Sequence, residues 1–244
     1  MIAAWLSFFD ALLAITLIAV GPLGAHMRLV APFLGFQLFL FGMLLGIVGL
    51  LLGLVGLFLT RGSPGSGERR RAMLGTVIGG ALTVLTVVIV SRSIGYAPIN
   101  DITTDTDNPP EFVKAGDLPS NRGRDLKYDK AKYADRQKLA YSDLAPLPMR
   151  GQPSEIYEKV KTAAEQMPGW TVTYDDPSTE TIEGIATSGL FRFQDDFIIQ
   201  VRAAGGQNLV EMRSKSRDGI GDMGTNAARI RAYFKWLSGD TDSE

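Results

Sequence analysis

The 244 residues carry 25 Lys and Arg against 26 Asp and Glu, and a formal net charge of −1 leaves no electrostatic case for nucleic acid or for general attraction to anionic lipid. Cysteine is absent and His26 is the only histidine, which excludes disulfides, thiolate nucleophiles and sulfur-ligated metals and leaves the C-terminal part without imidazole for a Ser-His pair or a zinc site. The average conceals two halves: residues 1–95 hold the long apolar runs, whereas residues 96–244 hold most of the charges and prolines.

The first predicted elements are three apolar segments, from about Ile2 to Val20, Phe33 to Leu59 and Ala72 to Val90. A bilayer core about 30 Å thick needs roughly 20 apolar helical residues, because an unpaired amide in lipid is costly, and each segment meets that length. Gly21-Pro22 and Pro32 punctuate the first gap, which contains His26, and a Gly/Ser/Pro-rich stretch from Gly62 to Gly67 punctuates the second. The first segment lacks the basic n-region and the small-residue cleavage site of a signal peptide, so it reads as a span. The second exceeds the length of a perpendicular helix and should tilt or extend beyond the core.

Orientation follows from the arginines, since short cytoplasmic loops are enriched in Lys and Arg. Arg61, Arg69, Arg70 and Arg71 lie in or beside the second loop, against Arg28 alone in the first. The expected topology therefore puts the basic loop in the cytoplasm and the C-terminal domain outside, as in a multi-pass protein of a bacterial inner membrane with a periplasmic domain. Gly42, Gly46, Gly49, Gly53 and Gly56 of the second segment repeat with a heptad rhythm, and Gly75 and Gly79 of the third stand four apart. Such stripes let backbones approach closely, either within a three-helix bundle or as an oligomer seam or pore lining. Asp10 is the only acid inside an apolar segment and reads as an interfacial or protonated structural group, or as part of a polar pathway.

Residues 96–147, rich in Pro, Asp, Asn, Lys and Arg, are expected to form an extended linker and surface segment. The oxygen donors between Asp101 and Asn108 lack the glycine and glutamate offsets of an EF-hand, so turns and caps explain them better than calcium. Residues 148–240 should form a small α+β domain. A helix capped by Ser154 runs to about Gln166, with Ile156, Val160, Ala163 and Met167 on one face. Four strand candidates follow, at Trp170–Tyr174, from Thr181 to about Phe193, around Phe197–Val201, and around Val210–Met212, with Gly205-Gly206 as the clearest hairpin turn. A last helix from about Met223 to Leu237 turns Ala227, Ile230, Phe234 and Leu237 inward, and both helices should cover one face of an antiparallel sheet.

The stretch from Met212 to Arg231 is the most distinctive, because strand, glycine turn and helix start meet there. Arg213, Ser214, Ser216, Arg217, Asp222, Asn226 and Arg229 form a candidate anion or ligand site, since helix-terminal amides beside basic groups suit a phosphate or carboxylate. The competing reading needs no ligand: Asp222 caps the helix and the glycines satisfy a tight turn. A Ser-Lys pair from Ser214, Lys215 and Ser216 is disfavoured, because strand alternation directs the serines and the lysine to opposite faces.

Ile99-Asn100-Asp101-Ile102-Thr103-Thr104 with Asn108-Pro109-Pro110, followed by Arg213-Ser214-Lys215-Ser216-Arg217 and Gly221-Asp222-Met223-Gly224-Thr225-Asn226-Ala227-Ala228-Arg229-Ile230, resembles the bacterial proteins grouped as domain of unknown function 1499. The resemblance covers about residues 96–238. It implies no established activity and so supplies no catalytic residue. The expectation is a helical membrane bundle of three transmembrane helices carrying a small α+β domain, without catalytic residue, metal or cofactor, whose partners are the bilayer and a lipid-like ligand or envelope protein. A structural or assembly factor acting through the bundle is the alternative. An enzyme using Asp195, Asp196 or Glu211 on a solvated sheet face ranks third.

Overall fold

The computed structural model describes residues 2–239. The chain divides into two compact units, one from the N-terminus through Gly95 together with Gly189–Arg192, the other from Tyr96 to Ser188 and from Phe193 onward.

The first unit contains α1 (Ile2–His26), α2 (Pro32–Leu59) and α3 (Gly67–Ser93), each long and apolar enough to cross a membrane. The expected stop at Gly21-Pro22 does not occur: α1 passes through Pro22 and ends at His26. Proline removes only one backbone donor, and neighbouring helices in a bundle tolerate that loss better than an open helix end in lipid. Pro32 opens α2 at its first helical position, where a missing N–H is no loss. Ser66 caps α3 by accepting the Arg69 N–H at 3.2 Å.

The glycines of α2 are buried where α1 and α3 press against its backbone. A Cβ on Gly42 would stand 2.8 Å from the Ala14 carbonyl oxygen, one on Gly56 2.9 Å from the Ala72 Cβ, and one on Gly79 2.7 Å from the Gly46 carbonyl oxygen. Gly46 and Gly53 meet Leu82 and Thr76 of α3 in the same way, and Gly75 meets Ser7. The Ser7 hydroxyl donates to the Gly49 carbonyl at 2.9 Å. Asp10 lies against Gly49, and its Oδ2 is buried with no hydrogen-bond partner among the described residues.

The second unit is built on a six-stranded antiparallel sheet of order β1-β6-β5-β4-β3, with β2 also paired to β6. The strands are β1 (Asp101–Thr103), β2 (Leu147–Met149), β3 (Trp170–Asp176), β4 (Thr181–Thr187), β5 (Gln194–Ala204) and β6 (Gln207–Ser216). The helices are α4 (Lys130–Ala140), α5 (Pro153–Gln166) and α6 (Thr225–Ser238). Gly205 and Gly206, at φ +60° and +81°, supply the two left-handed residues of the β5–β6 hairpin. Helix α5 starts with Pro153 at N1 behind Gln152, so Ser154 is not its cap.

One sheet face is apolar and carries α5 and α6. Ile102, Ile182, Phe197, Ile199, Val210 and Met212 pack there with Ile156, Val160, Ala163, Ala227, Ile230 and Tyr233. Trp170 joins them, its ring centroid 4.3 Å from that of Phe197 and 5.2 Å from that of Tyr233.

The segment expected to run over a surface instead enters the fold. Ile99 and Ile102 are fully buried, and Tyr128, Tyr133 and Tyr141 join the same core. A three-residue strand paired with the far end of the chain has too few alternations to leave a periodic signal. On its outer side, β1 is closed by a side chain that imitates a strand: Gln137 accepts the Thr103 N–H at 3.0 Å and donates to the Thr103 carbonyl at 2.5 Å.

Candidate functional site at the junction of β6 and α6

Alternation along β6 decides where the candidate residues go. Ser214 and Ser216 turn toward α6, while Arg213 and Lys215 turn toward the opposite face, and Arg217 follows them. The sheet thus separates the seven residues into two groups that do not converge on one point.

On the α6 side, Asn226 is the hub. Its Oδ1 accepts the Ser214 hydroxyl at 2.7 Å, its Nδ2 donates to Ser216 Oγ at 2.9 Å, and Arg229 bonds to it as well. Arg229 also donates to Ser214 Oγ at 2.8 Å and is ion-paired with Asp195. Asp222 lies just ahead of the helix, accepting the Gly224 N–H at 2.9 Å and the Asn226 N–H at 2.8 Å. It thereby satisfies helix-terminal amides even though the cap position itself is Gly224, at φ +78°. Burial pushes the Asp222 carboxyl above the usual aspartate range, opposed by those two amide hydrogen bonds.

The opposite face gathers charges that the sequence disperses widely. Asp101, fully buried, accepts from Arg213 Nε and Nη2 at 2.8 Å each and from Lys215 Nζ at 2.7 Å. Arg213 is itself fully buried; it donates to the carbonyls of Pro110 and Leu126 and lies over the rings of Phe112 and Tyr128. Asp196 holds Arg124 at 2.7 Å and Arg217 at 2.6 Å. Arg124 continues to the Ser216 carbonyl at 2.9 Å, and Arg217 to Ser120 and Gln194. Glu183 accepts the N–H groups of Val113, Lys114 and Ala115, which secures the covering loop to β4. Burial raises the Glu183 carboxyl, with these three amides pulling the other way.

Asp195, Asp196 and Glu211, expected on a solvated face, are 4%, 0% and 1% exposed, and each meets an arginine. Asp195 lies on the α6 face beside Arg229, whereas Asp196 and Glu211 lie on the opposite face, where Asp196 meets Arg124 and Arg217 and Glu211 meets Arg202. Sequence reasoning missed Asp101, Glu183, Arg124 and Gln137. Only the Asn100-Asp101 motif carried a trace of them, because their partners lie 34 to 114 positions away. The donor-rich stretch after β1 folds on itself, with Asp105 Oδ1 accepting the N–H groups of Asp107 and Asn108 at 2.8 and 3.0 Å. Among the described residues, no group of three or more His, Asp or Glu is arranged to hold a metal ion. Chemically, the junction is a set of matched buried ion pairs, whose partners become costly once separated.

Fold and site together define a membrane protein with three long apolar helices followed by an α+β domain whose sheet has one apolar and one ionic face. The family described as Protein of unknown function (DUF1499) matches residues 101–237, more than half of the chain, and the chain belongs to it. No curated protein matches the chain.

Proposed function

We propose that this protein is a non-catalytic, membrane-anchored binding module of the bacterial envelope. Its α+β domain lies outside the inner membrane and engages a lipid-like ligand or an envelope protein. The observation that carries this reading is the mutual pairing of the ionic groups at the β6–α6 junction: Arg213, Arg217 and Arg229 each meet a buried aspartate. Groups so matched favour a rigid, preorganised body over acid–base chemistry on a substrate. Arg61 between α2 and α3, with Arg69, Arg70 and Arg71 at the start of α3, supports the orientation. The glycine stripe supports packing within one bundle, since α1 and α3 occupy it, and an oligomer through that stripe is not part of the proposal.

Photoreactive phospholipid in membranes containing the full chain tests the ligand, with cross-linked peptides mapped by mass spectrometry. Labelled peptides from residues 96–239 support the reading. Labels confined to the three spans, with no protein cross-linked to the domain, refute it. A phosphatase fused after Glu244 reports the side of the membrane: an inactive fusion beside an active cytoplasmic reporter at the same point overturns the topology.

A further inference from the structure

We infer that the loop from Arg217 to Gly224 is a membrane-surface wedge, with Ile220 and Met223 seated at the boundary between headgroups and acyl chains of the bilayer that α3 crosses. The first premise is chain length. Helix α3 ends at Ser93, and Tyr96 follows three residues later, so its Cα lies within about 11 Å of the Ser93 Cα. The inference rests on α3 spanning a membrane and is independent of any ligand.

The second premise is that the loop is fixed to this exit segment. A Cβ on Gly221 would stand 3.2 Å from the Cα of Pro98, so backbone meets backbone there, and one on Gly224 would stand 2.6 Å from Cε1 of Tyr96, so that glycine leaves room for the tyrosine ring. The Asp222 N–H donates to the Ile99 carbonyl at 3.1 Å, and Asn100 Nδ2 donates to the Gly219 carbonyl at 2.7 Å. Asn100 is held in turn by the Tyr133 hydroxyl at 3.0 Å. Wherever the chain leaves the bilayer, the loop goes with it.

The third premise is what the loop presents. Ile220 is 81% exposed and Met223 53%, beside a Tyr96 that is 49% exposed. Left-handed backbone at Gly219, Met223 and Gly224 holds the tip in this shape, Met223 adopting φ +51° without being glycine. An aliphatic tip beside a tyrosine suits the membrane interface, where aromatic rings with a polar end collect. Of the three charges in the loop, Arg217 and Asp222 are engaged inside the fold and Asp218 is exposed, so insertion depends on apolar contact and not on attraction to anionic headgroups.

The cysteine-free chain permits a direct test. Full-length Ile220→Cys and Leu139→Cys, the latter a control at a side chain 88% exposed on α4, are labelled with an environment-sensitive fluorophore and reconstituted into phosphatidylcholine vesicles. The expected result is blue-shifted emission at position 220, quenched by lipids spin-labelled near the headgroup, with the label about 5–10 Å into the interface, while position 139 behaves as in water. Equal, water-like emission at both positions overturns the wedge. So does a blue shift at 220 that spin-labelled lipid leaves unquenched, since the tip is then covered by protein, either a second copy or another chain.

Discussion

Replacing Asp101 by alanine removes one carboxylate that two cations share. Arg213 is left fully buried and Lys215 is left with its side chain 11% exposed. Taking one partner from a buried ion pair costs about 3–5 kcal/mol, because the remaining charge is uncompensated. Arg213 keeps the carbonyls of Pro110 and Leu126, which lowers the penalty, and Lys215 reaches water with a small side-chain movement. The loss should therefore lie near the middle of that range, about 4 kcal/mol. For a unit of this size that corresponds to a fall in Tm of roughly 10–15 °C. Thermal melting of the full chain in detergent reads it through tryptophan fluorescence, since Trp170 and Trp236 both pack against the core of the second unit. The decisive comparison is a double-mutant cycle of Asp101→Leu with Arg213→Met, in which the double variant should lose at least ~2 kcal/mol less than the two single losses summed. Additivity within about 0.5 kcal/mol would refute the claim that these groups, 112 positions apart, depend on each other.

Three further outcomes follow from the same geometry. Glu183→Gln turns one accepting oxygen into a donor facing the N–H groups of Val113, Lys114 and Ala115, so stability should drop by about 1–3 kcal/mol, with hydrogen exchange accelerated first at those amides; protection equal to wild type would count against the anchor. Asp222 has its folded-state pKa raised, so the folded protein retains a proton that the unfolded chain releases, and stability declines as pH rises from about 4 through the folded value. The Tm of wild type minus that of Asp222→Asn should therefore fall across this window, and a difference that grows with pH contradicts the assignment. In the bundle, Gly53→Leu would drive a side chain into Ser7 and Thr76, with an overpacking cost of about 1–3 kcal/mol or more, whereas Gly62→Leu, in open space, should leave detergent melting unchanged.

The membrane half was readable because its signal is length and apolarity alone, and a glycine every three or four residues marks where a neighbouring helix touches. The domain from Trp170 onward was readable where alternation lasted long enough, and Gly205-Gly206 announced its own turn. Residues 96–128 were not, because they are ordered by distant partners: Asp101 by Arg213, Ala115 by Glu183, Arg124 by Asp196. The seven candidate residues were gathered by nearness in sequence. The alternation that sets Ser214 and Ser216 apart from Lys215 also sets them apart from Arg213 and Arg217, and only the strand register makes that division plain.

Burying so many ions is a poor way to gain stability, since the cost of desolvation offsets most of the attraction. What it supplies here is register. Strand β1 has three residues, with Asp101 opposite Lys215 and Thr103 opposite Arg213, and a slip of one position reverses every side chain. After such a slip Asp101 would lie opposite Ser214 on the face that carries α6, on the other side of the sheet from Arg213 and Lys215. An apolar strand this short would tolerate the error, but a strand carrying the carboxylate that two buried cations require does not.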